Sequence, residues 1–201
     1  MRVLLEEISY NICYSYIIAD DSEIQFDINN DYRKSDEMKS INNKSSYLDI
    51  SFNPRWDYIP LTRKYLENFL MFNVQNKQIV AKIIIVASEL LENAIKYSYA
   101  DGVRTHIRKN KKNRKVELKV SNSTKKIDAE RLINYINEIN RYPDPFKFYL
   151  DRMKQSIIRN DGKTGLGLSR IKYEGNAMLS AKFFDREDGT GIVEIKAVFL
   201  L

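Results

Sequence analysis

The longest amphipathic pattern of the chain lies between residues 77 and 99 and predicts a helix. Apolar side chains recur there at intervals of three and four, so they form a face wider than a single stripe. They are Ile79, Val80, Ile83, Ile84, Val86, Ala87, Leu90, Leu91, Ala94 and Ile95. A helix of this kind belongs in a protein core. Its polar side carries Glu89, Asn93 and Lys96 on consecutive turns.

Shorter patterns surround this helix. Alternation over 47–52 predicts a strand, Asn53-Pro54 marks a turn, and Asp57 is placed to cap a helix over 58–72. The remaining elements are strands at 103–109 and 115–121, a helix at 127–139, a helix at 145–158, and a closing hairpin of strands at 178–184 and 191–200. The expected buried set of the 127–139 helix is Ile127, Leu132, Ile133, Ile136 and Ile139. This order predicts a two-layer α/β sandwich, with a mixed sheet and helices on one face.

The first 46 residues follow a different pattern. Segment 8–18 is rich in β-branched and tyrosyl residues, and segment 23–28 alternates apolar and polar residues. Together they predict two or three short strands. Residues 29–46 are polar and predict a linker. The domain organisation is therefore an N-terminal β-rich extension with a polar linker over 1–46 and one domain over 47–201. The extension can dock on the sheet edge or on a second subunit.

A glycine-rich stretch precedes the hairpin. It reads Gly162-Lys163-Thr164-Gly165-Leu166-Gly167-Leu168-Ser169-Arg170 and leads into a helical run that ends at Gly175. Glycines permit a tight loop around phosphate, and the amides that open the next helix can receive an anion. It is not a Walker A loop, because Ile157 stands where that motif requires glycine, and the glycine spacing excludes a dinucleotide fingerprint.

Composition narrows the class of protein. The chain has 201 residues, of which 43% are hydrophobic and 30% charged, which suits one sizeable core with an appendage. No apolar run approaches the length of a membrane span or of a signal peptide, so the expected location is the cytoplasm. The single cysteine, Cys13, cannot form an internal disulfide and is expected in or near a core.

The net charge of +6 has a local origin. Much of the excess lies between residues 104 and 115, whose centre is the predicted turn of a hairpin. This turn lacks the interleaved aromatics that stack on bases, so a nucleic-acid partner is not expected. His106, the only histidine, alternates with apolar residues of the first strand and is interpreted as structural.

The polar side of the first helix offers chemistry. A carboxylate such as Glu89 can accept a proton from a hydroxyl, and the amide oxygen of Asn93 is a ligand suited to Mg²⁺ beside a phosphate. The alternative is that these side chains only face solvent on an amphipathic helix.

Two motifs in this order, Glu89-x-x-x-Asn93-Ala94-x-Lys96 and Gly165-Leu166-Gly167-Leu168, resemble those of the GHKL ATPase family of gyrase, Hsp90, histidine kinases and MutL. The resemblance is closest to the small anti-sigma-factor serine kinases and runs from about residue 47 to the C-terminus. It implies a Bergerat-type fold that binds ATP and Mg²⁺, with Glu89 as catalytic base and Asn93 as metal ligand. The nucleotide-binding residues that it implies are Asn93, Lys96, Asn122, Thr164, Gly165, Leu166, Gly167 and Leu168.

One family element departs from its pattern. After the strand that begins at Lys115, the family places Asp-x-Gly-x-Gly, in which the aspartate reads the adenine amino group. Here Asn122 stands at the aspartate position, and Thr124 and Lys126 stand at the glycine positions. Side chains at both positions restrict the backbone and can fill the base pocket. The chain thus resembles a bacterial subgroup of GHKL regulators that have lost this glycine box.

Two functions follow from this resemblance. The first is a partner-switching, anti-sigma-like protein-binding module with weak or absent ATP binding. The alternative is an active ATP- and Mg²⁺-dependent serine kinase that acts on a STAS-type antagonist. Both imply a protein partner, which is a STAS-type antagonist or a sigma factor, and both are compatible with a homodimer. Neither involves a membrane.

Overall fold

The computed structural model describes residues 4–8, 12–19, 22–26, 45–99, 102–110, 112–159 and 166–201. Within these ranges the chain forms the predicted two-layer sandwich of a sheet and helices. The strands are β1 (Leu4–Ile8), β2 (Ile12–Ala19), β3 (Ser22–Phe26), β4 (Ser45–Phe52), β5 (Val103–Asn110), β6 (Lys115–Lys125), β7 (Met178–Asp185) and β8 (Thr190–Leu200). The helices are α1 (Tyr58–Asn73), α2 (Lys77–Lys96), α3 (Lys126–Arg141), α4 (Pro145–Arg159) and α5 (Leu166–Gly175).

The sheet is antiparallel at every pairing between described strands, in the order β1-β2-β3-β4-β5-β6-β8-β7. The predicted mixed sheet is wrong in this respect. The reason lies in the closing hairpin, because β8 folds back between β6 and β7. The two strands joined by the crossover of α3, α4 and α5 therefore run in the same direction but are not neighbours.

Helix α2 lies in the core, as its wide apolar face predicts. Nine of its residues are buried, and they pack with α1, α5 and the inner face of the sheet. Asn76 caps its first turn by accepting hydrogen bonds from the amides of Gln78 and Ile79. The cap predicted for α1 is wrong, since the Asp57 side chain accepts no bond from that helix and instead pairs with Arg55.

Helix α3 buries a smaller set than its pattern predicts. Ala129, Ile136 and Ile139 are buried, whereas Ile127 is 52% exposed and Leu132 is only partly buried. Ile127 lies in the first turn of the helix. That turn follows directly on the end of β6, and Ile127 there lines a surface pocket together with Tyr99 and Glu130.

The sheet face opposite the helices carries an ion-paired cluster. Asp49 on β4 accepts hydrogen bonds from the Arg104 side chain on β5, and its Oδ2 lies 3.4 Å from His106 Nδ1. Burial raises the pKa of Asp49, but the hydrogen bonds from His106 and Arg104 outweigh it and hold that pKa below its usual value. The His106 ring also stacks on Tyr47. These contacts agree with a structural role for the only histidine.

The N-terminal segments form three strands, of which β2 and β3 lie largely within the two predicted segments, whereas β1 precedes them. Strand β3 joins the sheet by pairing with β4, with Gln25 opposite Ser51 and Phe26 opposite Ile50. Most of the predicted linker and the side chain of Cys13 lie outside the described residues, so the division of the chain near residue 46 stays a prediction. None of the described helices combines the length and the apolar character needed to cross a membrane.

Candidate functional site

Helices α2 and α5 bring the two sequence motifs together. A Cβ atom added to Gly167 would lie 2.5 Å from Oε2 of Glu89 and 3.6 Å from Nδ2 of Asn93. The first turn of α5 therefore rests directly on the polar side of α2, and any larger residue at position 167 would require the Glu89 carboxylate to move. The structure brings Glu89, Asn93 and Gly167 together, and their roles in catalysis and nucleotide binding stay predictions.

The glycine-rich motif divides between two environments. Leu166 and Gly167 open α5 and are half-buried, whereas the side chain of Leu168 belongs to the hydrophobic core. Thr164 and Gly165 lie outside the described residues. The last residue of α5, Gly175, packs against Val86 of α2, where an added Cβ would lie 2.4 Å from Cγ2. The helix is thus held against α2 at both of its ends.

Lys96 lies at the C-terminal end of α2, away from this contact. Its side chain is exposed, and its ammonium lies 5.6 Å from the ring centroid of Tyr97. The phosphate-binding role implied for Lys96 stays a prediction.

Arg170 is a member of this site that the sequence motifs do not assign. Its guanidinium donates to Oε1 of Glu89 at 3.1 Å and lies 3.0 Å from Oε2 of Glu174, one turn further along α5. The spacing of Arg170 and Glu174 at i and i+4 is a local signal for the second pair. The first pair joins residues 81 positions apart, so no local pattern could reveal it.

Opposing influences act on the pKa of the Glu89 carboxyl. Burial raises the pKa of its carboxyl, and the nearby carboxylates of Glu92 and Glu174 act in the same direction. The Arg170 ion pair lowers that pKa but does not cancel the rise. Glu89 is therefore a stronger proton acceptor than an exposed glutamate, although its carboxylate already has a cationic partner.

The pKa shift of Glu89 predicts a pH-dependent contribution to stability. Because the folded pKa is raised, ionised Glu89 disfavours the folded state above its unfolded pKa, and this cost disappears as the pH falls below that value. Glu89→Gln keeps the shape and removes the charge. We expect the variant at pH 7.5 to match or exceed the wild-type free energy of unfolding, by about 0.5 kcal/mol. The difference should vanish near pH 4 in urea titrations.

Glu67→Gln is the matched control for this prediction. Glu67 lies on an exposed position of α1, so the same change there should be neutral at both pH values. A marked loss of stability in Glu89→Gln at pH 7.5 would show instead that the ionised pair with Arg170 stabilises the fold.

Strand β6 runs through the position at which the family has its Asp-x-Gly-x-Gly motif. The sequence predicts that the strand ends at residue 121, but it continues to Lys125 and stays paired with β8 up to Thr190. Asn122 lies opposite Val103 on one side and Val193 on the other, and Thr124 lies opposite Gly191. Residues 122–125, which stand at this motif, therefore belong to a strand that pairs with β8 along its whole length.

The side chains of this strand end are buried. Asn122 is 5% exposed and Thr124 is 3% exposed. The amide of Asn122 donates to the carbonyl of Ser123 at 2.9 Å, and the backbone amide of Tyr99 donates to the same carbonyl. Lys126 begins α3, and its ammonium pairs with Asp185 at 2.5 Å. Asn122 and Thr124 therefore belong to the interior of the domain, whereas Lys126 forms an ion pair at its surface.

These contacts test whether ATP fits. On the phosphate side, the contact among Glu89, Asn93 and Gly167 agrees with the family. On the base side the residues do not fit, because Asn122 and Thr124 are buried in a paired strand and present no open edge to an adenine. Among the described residues no group of three carboxylate, histidine or cysteine side chains gathers to hold a metal. Mg²⁺ at Asn93 would thus depend on phosphate oxygens.

Comparisons with known proteins place this fold. The model of the histidine kinase-, DNA gyrase B-, and HSP90-like ATPase family matches residues 79–182, just over half of the 201-residue chain. No curated protein matches the sequence. Among solved structures, a chain of the SiaB-SiaC complex from Pseudomonas aeruginosa is similar, with a TM-score of 0.60 and 21% identity. The match covers 74% of this chain and 89% of that chain, and it supports the fold. The protein therefore belongs to the histidine kinase-, DNA gyrase B-, and HSP90-like ATPase family.

Proposed function

We propose that this protein is a regulatory module that binds a protein partner through the GHKL fold and does so with weak or absent ATP binding. The observation that carries the proposal is the continuous strand β6. Base contacts supply both the specificity of a nucleotide site and a large part of its buried apolar area. Here their usual position is occupied by buried residues of a paired strand, Asn122 and Thr124.

The Glu89–Arg170 ion pair supports the same proposal. Arg170 supplies a positive charge to Glu89 from within the chain, at 3.1 Å. The carboxylate therefore has a counter-charge without any metal or substrate. The pair and the contact of Gly167 with Glu89 both join α5 to α2, so they link the two sequence motifs directly.

The partner in this proposal is a STAS-type antagonist or a sigma factor, bound near α2, α4 and α5. Aromatic side chains are exposed on this side of the domain: Phe146 is 46% exposed and Tyr173 is 42% exposed, and their ring centroids lie 4.9 Å apart. Tyr149 also stacks on Tyr173, with 5.7 Å between their ring centroids. Aromatic groups are enriched where proteins bind each other. The similar chain also comes from a complex of two proteins.

Calorimetric titration with Mg-ATP tests the proposal. This chain lacks both the charge-assisted hydrogen bond to adenine and an open adenine pocket. Together these losses are expected to cost about 3–4 kcal/mol of binding free energy, which weakens the affinity a few hundredfold. We therefore expect a dissociation constant of about 1 mM or weaker. The Asn93→Ala variant is the matched control, because it removes the metal ligand that the family uses. The wild type and Asn93→Ala should therefore release the same heat at each injection of Mg-ATP.

The second candidate function is the serine kinase. It is favoured by one observation, the meeting of Glu89, Asn93 and Gly167, since these positions match the catalytic and phosphate-side motifs of the family. A dissociation constant for Mg-ATP in the low micromolar range, abolished by Asn93→Ala, would establish this candidate. The same result would reject the first proposal, in which the protein binds a partner with weak or absent ATP binding.

A further inference from the structure

We propose that one corner of the sheet, on the face opposite the helices, docks on the surface of a bilayer that contains anionic lipids. The corner lies where β8 ends and β7 begins, beside the turn that joins β5 and β6. Docking of this kind uses lipid headgroups and shallow apolar contacts, so it needs no membrane-spanning helix. This inference does not depend on the proposed function.

The apolar part of this corner is a patch of three side chains, Met178, Val198 and Leu200. Met178 is 53% exposed and Leu200 is 71% exposed, and Val198 is partly exposed. Met178 lies directly opposite Val198 in the ladder of β7 and β8. Leu200 shares a face of β8 with Val198, because side chains alternate along a strand. The three side chains therefore form one apolar patch.

Cationic side chains border this patch on the side of β6 and of the turn. Lys115 lies opposite Leu200 in the ladder of β6 and β8. The backbone amide of Leu201 donates to the carbonyl of Arg114 at 2.8 Å, which places the turn beside the end of β8. Together with the apolar patch, the cations form what we call the basic corner. They are Arg108, Lys112, Arg114, Lys115, Lys119 and Lys196.

The carboxylates on this part of the face are fewer than the cations. Glu117 pairs with Lys115 at 2.6 Å, and Glu194 pairs with Lys119 at 3.2 Å. The carboxylate of the ion-paired cluster on β4 already has its own arginine. Six cations therefore stand against two carboxylates, and the basic corner keeps a net positive charge that is complementary to an anionic surface.

The composition of the basic corner favours a lipid surface over a protein. Four of its six cations are lysines, and lysine is depleted at protein interfaces, which rely on aromatic and arginine anchors. A bilayer instead attracts lysines as point charges and accepts isolated apolar side chains, while the lysine stems lie along its surface.

A nucleic acid is also less favoured as the occupant. Single strands bind where bases can stack on exposed aromatic rings. No aromatic side chain belongs to the basic corner as the described residues define it. The nearest along the sheet is Tyr47, which lies opposite Arg108, and its ring already stacks on His106.

The first test is co-sedimentation of the full chain with vesicles of phosphatidylcholine that contain about 30% phosphatidylserine. We expect binding to these vesicles, no binding to pure phosphatidylcholine, and release as the salt concentration rises. Lys112→Gln combined with Arg114→Gln should weaken the binding about thirtyfold, because each cation near such a surface contributes about a factor of five.

The matched control is Lys147→Gln combined with Lys154→Gln. This variant removes two charges from exposed positions of α4, in the helical layer, and should bind the vesicles as the wild type does. An equal loss of binding in the two double variants, or a wild type that does not bind the anionic vesicles, would overturn the proposal.

A second pair of variants tests the apolar patch. Leu200→Ser should weaken binding to the anionic vesicles about tenfold, because it removes the most exposed apolar side chain of the patch. Phe72→Ser is the control, since Phe72 is 91% exposed but lies on α1, and it should have no effect. Far-UV circular dichroism of all variants should match the wild type. Unchanged binding of Leu200→Ser would mean adsorption by charge alone and would reject the proposed docking.

A single-stranded oligonucleotide of about 20 nucleotides tests the other polyanion. We expect it to bind more weakly than the anionic vesicles at the same salt concentration. Tighter binding of the oligonucleotide, lost in the variant with Lys112→Gln and Arg114→Gln, would assign the basic corner to nucleic acid and refute docking on a bilayer.

Discussion

Replacing Asn122 by aspartate is expected to lower the free energy of unfolding by about 3 kcal/mol at pH 7. The side chain is 5% exposed, and its amide donates to the carbonyl of Ser123. A carboxylate at this position would lose that donor and face the carbonyl oxygen without a counter-charge. Urea denaturation measures the effect. The change introduces the residue that the related ATPases carry, so it tests whether the position is a buried strand or an open nucleotide cleft.

The pH dependence of this variant has a definite sign. Burial raises the folded pKa of the introduced carboxyl above its unfolded value, so the penalty is present above the unfolded pKa and disappears below it. Stability relative to the wild type should therefore recover as the pH falls to about 4. Asn137→Asp makes the same chemical change at an exposed position of α3 and should be nearly neutral at both pH values. An Asn122→Asp variant as stable as the wild type at pH 7 would contradict the argument against ATP.

Gly175→Ala is expected to cost about 2–3 kcal/mol of stability, because the new methyl group would overlap Val86 of α2. An added Cβ would lie 2.4 Å from Cγ2 of that valine, and both residues are buried. Val86→Ala alone should also be destabilising, since it leaves a cavity. Combined with Gly175→Ala, however, it should cost at least about 1 kcal/mol less than the sum of the two single changes.

This double-mutant cycle also bears on the candidate site. The contact of Gly175 with Val86 fixes one end of α5, and the contact of Gly167 with Glu89 fixes the other. A change at Gly175 should therefore alter the environment of Glu89 as well as stability. Strict additivity of the two substitutions would mean that α5 does not approach α2 as closely as this.

The local periodicity of the sequence determined most of the elements and two of the three parts of the site. The predicted helices correspond to α1 to α5 with ends shifted by at most about three residues. Glu89 and Asn93 share a helix face because they are four residues apart, and this follows from helix geometry alone. The placement of Gly167 beside them was implied by the family resemblance and is present in the structure.

Only the tertiary structure decided which residues surround the site. Residues 122–125 have no strong strand pattern of their own, yet they form a strand because β8 offers a paired neighbour along their whole length. Arg170 reaches Glu89 only because α5 packs on α2. Strands β6 and β7 run in the same direction but form no parallel pair, because β8 inserts between them. Each of these features depends on contacts between distant residues, and a hydrophobic pattern records burial at a position without recording which neighbour provides it.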